Sequence, residues 1–256
     1  MIHKLSGFLP EELPLLAGWE IAACFEPARQ VAGDFYDPFP LPGGRVGLVV
    51  ADVCDKGVGA ALYMALFRSL IRALATQPAS TPRDSAEILN NTIGFTNEYI
   101  ARTHGRADMF ATVFFAILDP QAGILHYLNG GHEPPLILRS GAVRVRLTPT
   151  GPAVGMVSDM SFGIERAEID PGETLFAYTD GLTEARGADG FYGEARLHAL
   201  LRQHSGSSAA TLLDHLARAV AQHTGTLERF DDLTLLAAQD RLILMPITRR
   251  ASSRFH

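Results

Sequence analysis

The sequence predicts an α+β fold with antiparallel sheets, on two observations. Strand-like and helix-like segments are grouped along the chain: strands, two helices, a run of strands, two helices and a last strand. This grouping favours antiparallel sheets, whereas a regular alternation of strands and helices would indicate a parallel sheet. The 256 residues are 47% hydrophobic, with no internal repeat, low-complexity tract or linker, so we expect one domain with a substantial core.

The elements follow from apolar spacing and from turn residues, taken in chain order. A proline and two glycines at 42–44 predict a hairpin turn, and 120–123 (PQAG) predicts another. Apolar residues at helical spacing predict the helices, the first ending before Pro78 and the second starting after Pro82. The predicted strands are 19–25, 45–53, 110–119, 123–129, 135–139, 143–147, 162–169, 173–178 and one within 230–236, and the predicted helices are 59–76, 84–100, 193–204 and 208–223.

Composition excludes several classes of function. The net charge of -6 and pI near 5.8 argue against a general binder of nucleic acid or of anionic membranes. Cys24 and Cys54 lie in apolar, strand-like contexts, which is typical of reduced thiols in a cytoplasmic protein. Prolines and glutamates at 10–14 spoil a signal peptide, and no apolar run approaches the roughly 20 residues of a membrane helix.

Aspartates recur at the ends of apolar segments. Asp34, Asp52 and Asp180 each stand beside a turn or a glycine, and Asp231 and Asp232 begin the last strand. Converging carboxylates repel one another unless cations neutralise them, and an all-oxygen set favours Mg²⁺ or Mn²⁺ over zinc. A plain turn or helix N-cap remains an equal alternative for Asp52 taken alone.

Paired divalent ions would activate a water molecule for direct hydrolysis of a phosphate ester. Cys54 has no arginine six residues later, since that position is Ala60, so a cysteine-based phosphatase loop is absent from this stretch. The loop 129–134 (NGGHEP) is too rich in glycine to be ordinary filler. His132 within it is open to three interpretations: a ligand, an acid or base, or a solvated loop histidine.

A set of motifs in this order resembles one family. They are GDFYD (33–37), ADVCDKGVGAALYMA (51–65), FATVFFAILD (110–119), NGGHEPP (129–135), GPAVGM (151–156), YTDGLTEAR (178–186) and FDDLTLL (230–236). Together they resemble the PPM superfamily of protein phosphatase 2C-like enzymes, in its bacterial SpoIIE/RsbU-type branch. The similarity runs from about Leu9 to Ala238.

The resemblance implies a four-layer α/β/β/α sandwich with a site for two Mn²⁺ or Mg²⁺ ions, and a third, weaker ion, at one edge. It makes Asp52 the bridging ligand, with the backbone carbonyl of Val53 beside it. Asp34 would serve the second ion, while Asp180 and Asp231 serve the first. Further metal-site candidates are Asp232, where relatives often have Asn, and Glu184, which matches an acid near the third ion.

The candidates for substrate contact are Arg29, Gly33 and His132. Arg29 is a candidate because Gln30 stands where animal relatives have a phosphate-binding arginine. Two further departures concern the metal site: Ala32 replaces a usual glycine, and Asp55 stands where many members have Gly, which adds a charge beside the site.

The resemblance also implies the biology. Relatives remove phosphate from serine or threonine of small regulatory proteins, commonly STAS-type anti-sigma-factor antagonists in partner-switching pathways. Residues 1–18 would be a connector, 19–241 the phosphatase domain and 242–256 a mobile tail. We expect a sensor domain or protein in trans, and a homodimer through the first two helices. The rival functions are a non-catalytic pseudophosphatase that binds a partner, and a small-molecule phosphatase.

Overall fold

The computed structural model describes residues 9–78 and 80–241. Its elements are β1 (Trp19–Glu26), β2 (Phe35–Tyr36), β3 (Phe39–Pro40), β4 (Val46–Val53), α1 (Val58–Ala75), α2 (Ser85–His104), β5 (Ala111–Asp119), β6 (Ile124–Gly130), β7 (Leu136–Arg139), β8 (Ala142–Arg146), β9 (Glu165–Glu168), β10 (Thr174–Tyr178), β11 (Arg186–Gly187), β12 (Gly190–Phe191), α3 (Gly193–Gln203), α4 (Ala209–Thr224) and β13 (Leu233–Asp240).

Most strands belong to two antiparallel sheets. Sheet A has the order β1-β13-β10-β7-β8, and sheet B has the order β2-β4-β5-β6-β9, with β3 also paired to β4. The strands β11 and β12 form a separate small hairpin. The prediction of antiparallel sheets is confirmed.

Three apolar clusters separate four layers of structure. One lies between the sheets and includes Leu48, Phe114 and Leu236. A second joins sheet B to α1 and α2 and includes Phe67. The third joins sheet A to α3 and α4 and includes Leu216. The α/β/β/α sandwich implied by the resemblance is therefore the observed fold.

Strand alternation decides where the acids point. On β4, Leu48 and Val50 face the other sheet while Val49, Ala51 and Val53 face the helices. Successive side chains alternate between the faces, so the Asp52 side chain follows Val50 onto the inner face, at the end of its strand.

Helix α1 has the length and composition of a membrane-spanning helix. Its 18 residues, with a mean hydropathy of 1.4, are long and apolar enough to cross a membrane by length and composition. One face, however, is built into the domain: Met64, Phe67 and Ile71 are buried in the cluster between α1, α2 and sheet B. A core helix passes the same test, and we interpret α1 as one.

Some boundaries differ from the sequence prediction. Strand β9 covers Glu165–Glu168 rather than 162–169. The shorter strand results because Phe162 packs into the core under α1 and α2, and because the Gly163 amide donates a hydrogen bond to the Thr150 carbonyl oxygen. Helix α2 extends to His104. The short strand β3 and the β11–β12 hairpin carry too few residues to show a period. Residues 9–18 form turns and loop, and the predicted tail 242–256 lies outside the described residues.

Candidate functional site

The loops that carry the acids meet at one edge of the sandwich. In sheet B, Phe35 pairs with Ala51, which sets Asp34 across from Asp52. In sheet A, the Thr179 amide donates to the Thr234 carbonyl at 3.1 Å, so the loops bearing Asp180 and Asp232 are neighbours. Asp34, directly before β2, therefore lies opposite Asp52 near the end of β4.

Asp34 forms the buried base of the site. Its Oδ2 accepts hydrogen bonds from the hydroxyls of Thr179 and Thr234, both at 2.7 Å. Burial, followed by the charges of Asp52 and Asp232, raises the pKa of Asp34 well above its usual value, and the two threonines oppose the rise. A carboxylate from sheet B is thus fixed by two hydroxyls from sheet A.

Asp52 lies against Asp34. Burial raises the pKa of Asp52 to about 7, with the negative charge of Asp180 as the next cause, while a hydrogen bond with Asp34 acts in the opposite direction. A hydrogen bond between two carboxyl groups requires a proton on one of them. Burial and the surrounding negative charges thus favour a shared proton in this pair over two ionised carboxylates.

Asp180 extends the negative field towards the surface. Burial raises the pKa of Asp180 to about 6, followed by the charges of Asp231, Glu184 and Glu133. Glu184 is exposed and its amide donates to the Asp180 carbonyl at 2.7 Å, so it lies one helical turn further along the same loop. Glu184 therefore adds charge at the solvent side of the cluster.

Asp231 and Asp232 have different surroundings. Asp232 accepts backbone N–H bonds from Ala28 at 2.8 Å and Gly33 at 2.9 Å, one on each oxygen. Asp231 instead accepts from the Lys56 ammonium at 2.6 Å. Asp232 therefore fastens the loop 28–33 to sheet A, whereas Asp231 carries the charge that a cation meets at the rim.

The site fits divalent cations by charge and by donor type. Several carboxylates raise one another's pKa, and hard oxygen donors suit Mg²⁺ or Mn²⁺. Among residues 9–78 and 80–241, no three His, Cys, Asp or Glu side chains are grouped closely enough to hold an ion as they stand. As they stand, two threonines hold Asp34, backbone amides hold Asp232, and Lys56 holds Asp231.

The remaining predicted residues fall into two groups. Arg29 is exposed and, with Gly33, lines a small cleft of about 10 Å³ that Asp52, Lys56 and Asp231 also line. A Cβ added to Gly33 would lie 3.0 Å from the Val53 carbonyl oxygen, so that carbonyl is turned towards the acid-bearing loop. These residues surround the acids.

His132 has a structural position instead. Its side chain is 2% exposed, and its Nδ1 is 2.9 Å from the Thr112 hydroxyl. Burial lowers the pKa of His132 to about 4, against a hydrogen bond with the Tyr178 backbone in the other sheet. The His132 Nε2 atom is buried and has no hydrogen-bond partner within the described residues. The predicted contact between His132 and substrate stays a prediction, and from this buried position it would have to be made within the protein rather than at its surface.

Sequence reasoning missed several residues of the site. Thr179 follows β10 directly and Thr234 is the second residue of β13, and a polar β-branched residue next to the aspartates was a usable signal. Glu133 was passed over beside His132, although its charge acts on Asp180. The sequence alone does not show that the loop 129–134 lies close to Asp180, so the effect of Glu133 could not be predicted from it.

Comparisons with known proteins place this geometry in a family. The model of the family described as Stage II sporulation protein E (SpoIIE) matches residues 42–240. The chain belongs to the SpoIIE family. It is 45% identical over 250 residues to Protein IcfG of Synechocystis sp., covering 90% of this chain but 39% of that protein. It is 24% identical to phosphoserine phosphatase RsbU of Bacillus subtilis, covering 91% of this chain and 67% of RsbU.

A solved structure supports the fold. The SiaA-PP2C domain of Pseudomonas aeruginosa superposes with a TM-score of 0.73 at 21% sequence identity, over 86% of this chain and 85% of that one. At this identity the likeness shows the PP2C-type fold alone.

Asp55, one of the family departures, has a measurable backbone consequence. Its φ is 70°, in the left-handed region that favours glycine, and its Oδ1 accepts the Lys56 amide at 2.8 Å. We expect Asp55→Gly to keep or raise the free energy of unfolding by up to about 1 kcal/mol, and Asp55→Val to lower it by about 1–2 kcal/mol. Urea unfolding in EDTA measures both, and a valine variant as stable as the parent would contradict the strained backbone.

Proposed function

We propose that this chain is a divalent-metal-dependent protein serine/threonine phosphatase. The observation that carries the proposal is the meeting of acids from both sheets at one edge, where Asp34, Asp52, Asp180 and Asp231 act electrostatically on one another. A purely structural cluster would be expected to pair such charges with arginine, as Asp37 is paired with Arg68 and Arg72 elsewhere in the domain.

Each residue of the site has a role in this proposal. Asp34, Asp52, Asp180, Asp231 and the Val53 carbonyl would hold two Mn²⁺ or Mg²⁺ ions, with Glu184 near a third. When bound, the ions would supply positive charge and activate a water molecule for hydrolysis of the phosphoryl group. Thr179 and Thr234 fix the orientation of Asp34 from the opposite sheet. Asp232 fastens the loop that presents Arg29 at the rim, where its guanidinium would contact phosphate.

The proposed substrate is phosphoserine or phosphothreonine on a small regulatory protein, of the STAS-type anti-sigma-factor antagonist class. The name of RsbU as a phosphoserine phosphatase supports the chemistry. A cleft of about 10 Å³ is too small to enclose a metabolite, which favours a phosphorylated segment that binds from a protein surface. We further propose a cytoplasmic location and no membrane or nucleic-acid partner, in line with the charge of -6.

Regulation is proposed to reach the site through α1 and α2. Exposed apolar side chains on these helices, Val58 and Leu62 on α1 and Phe95 and Tyr99 on α2, offer a surface for a sensor in trans or for a homodimer. The proposed domain is 19–241, with 1–18 as connector and 242–256 as tail. The chain spans 39% of the length of IcfG.

Metal removal tests the reaction. The chain should hydrolyse para-nitrophenyl phosphate with Mn²⁺ and lose at least about a hundredfold of this activity in EDTA, because the acids alone repel a phosphate. Re-addition of Mn²⁺ in excess should restore it. Activity that persists in EDTA would contradict the metal mechanism, and binding of a phosphoprotein without turnover would favour a pseudophosphatase.

A substrate panel tests the specificity. Phosphorylated STAS proteins from the same genome and phosphorylated metabolites are compared at equal concentration with Mn²⁺ present. The proposal expects a kcat/KM at least about tenfold higher for one phosphoprotein, since a protein surface offers more contacts to the cleft. Equal rates on metabolites would point to the small-molecule alternative.

A further inference from the structure

Lys56 occupies the position at the acid cluster where a cation is most needed. Its Nζ donates to Asp231 Oδ2 at 2.6 Å and to the Phe230 carbonyl oxygen at 2.7 Å. The same Nζ lies 3.8 Å from the centre of the Phe230 ring. The ammonium therefore joins the loop after β4 to the loop before β13, across the mouth of the cleft.

The choice of lysine is informative in this chain. Of the 22 basic residues, lysine supplies Lys4 and Lys56, and Lys56 is the one lysine within the described ranges. Permanent pairs elsewhere use arginine: Arg68 and Arg72 hold Asp37, and Arg139 and Arg144 hold Glu173. Arginine grips a carboxylate with a rigid fork, whereas a lysine ammonium is a compact, strongly hydrated charge on a flexible stem.

We propose that Lys56 is a displaceable internal counter-cation, which holds Asp231 in the metal-free protein and leaves it when a divalent ion binds. The inference rests on the proposed function, since it takes Asp231 as a residue that meets the ion. Asp231 Oδ1 already accepts the Asp232 amide at 3.0 Å, so an ion that binds this carboxylate competes with Lys56 for Oδ2. The two cations also repel each other, which favours release of Lys56 when the ion binds. The pair is partly exposed, at 29% and 27% for the two side chains, so breaking it costs little.

Phe230 gives Lys56 a place to remain after displacement. The Phe230 ring is exposed and makes two cation–π contacts. One is with the Lys56 ammonium, and the other is with the Arg186 guanidinium, 4.7 Å from the ring centre. The released ammonium keeps its cation–π contact at the rim. The loops thus exchange one cation for another without losing the contact between Lys56 and Phe230.

The test measures divalent-ion affinity rather than turnover. Titration calorimetry with MnCl₂ is carried out on the full chain, on Lys56→Met and on Lys56→Arg. We expect Lys56→Met to bind Mn²⁺ about three- to tenfold more tightly, because no pair has to be broken. Lys56→Arg should bind equally or more weakly. Arg218→Met is the matched control: it removes one positive charge from an ion pair with Asp214 on α4, and should leave the affinity unchanged.

A second measurement uses the unmodified protein. Amine acetylation followed by peptide mass spectrometry reports Lys56 directly, with Lys4 as an internal reference. We expect Lys56 to react at least about threefold faster with saturating Mn²⁺ than in EDTA, because its hydrogen bond to Asp231 is released.

The outcomes separate this inference from the proposed function. Mn²⁺ binding with equal affinity in Lys56→Met, or tightening in Lys56→Arg as large as in Lys56→Met, overturns the counter-cation role and leaves the phosphatase proposal intact. Unchanged or slower acetylation of Lys56 with bound Mn²⁺ does the same. A parent chain that binds no Mn²⁺ overturns both.

Discussion

Asp52→Asn should abolish most of the activity of this protein and, in the same molecule, raise the stability of its metal-free form. Asp34, Asp180, Asp231 and Asp232 all act on the pKa of the Asp52 carboxyl. An amide keeps the shape but removes the charge that a divalent ion needs. We expect the Mn²⁺-dependent rate to fall by about 10²–10³-fold, comparable to the loss of one preorganised electrostatic group.

The stability effect follows from the sign of the pKa shift. Burial and neighbouring charges raise the pKa of Asp52 from 3.8 to about 7 in the folded protein. The contribution of Asp52 to the free energy of unfolding is therefore fully present below pH 3.8, where Asp52 is protonated in both the folded and the unfolded state. It is lost progressively as the pH rises from 3.8 through about 7. At pH 8 the metal-free folded state carries the full cost of an ionised Asp52, which asparagine does not have.

Two measurements check this prediction together. In EDTA at pH 8, Asp52→Asn should unfold at higher urea, by about 1–3 kcal/mol, and the difference should shrink towards pH 5. Asp119→Asn is the matched control, because Asp119 accepts the Gln121 and Ala122 amides in the turn after β5, and asparagine can accept them too. An Asp52→Asn protein that is less stable at pH 8 would contradict the repulsion described here.

The free-energy cost of burying an ionised carboxylate, as at Asp52, also explains which site residues the sequence could predict. Strand ends with Asp beside a glycine or another Asp mark carboxylates that a core cannot absorb, so pattern alone selects Asp34, Asp52, Asp180 and the pair Asp231 and Asp232 as candidates. Alternation along β4 then places the Asp52 side chain on the inner face of its sheet. These signals are local, and local signals survive in a single sequence.

The parts that were missed depend on contacts between distant loops. Asp232 looks like Asp231 in sequence, yet it binds the amides of Ala28 and Gly33, about 200 residues earlier. His132 carries a reactive side chain in a glycine-rich loop, yet the loop folds inward and encloses it. Which of two adjacent or similar residues faces the cleft is decided by packing across the two sheets, and no periodicity records it.

Gly181→Ala should be the most destabilising single-methyl change at the site. A Cβ on Gly181 would lie 1.9 Å from the Asp232 carbonyl oxygen and 2.9 Å from its carbonyl carbon. Both are backbone atoms, so no side-chain rotation can relieve the overlap. We expect a loss of about 3 kcal/mol or more in the free energy of unfolding, at the upper end of the range for overpacking.

The damage should reach the metal site before the rest of the fold. Moving the Asp232 backbone pulls its carboxylate from Ala28 and Gly33, and the loop leading into Asp34 loses its anchor on sheet A. Calorimetry at low temperature, where the variant is still folded, should therefore show weakened Mn²⁺ binding along with the lower urea midpoint.

Gly94→Ala supplies the matched control for that measurement. Gly94 lies within α2 with no atom within 4 Å of an added Cβ, so alanine there should stabilise the helix by about 0.5–1 kcal/mol and leave Mn²⁺ binding unchanged. If Gly181→Ala behaved like Gly94→Ala, the two acid-bearing loops of sheet A could not approach as closely as described. The loops that bear Asp180 and Asp232, both from sheet A, would then lack the close backbone contact that holds them together.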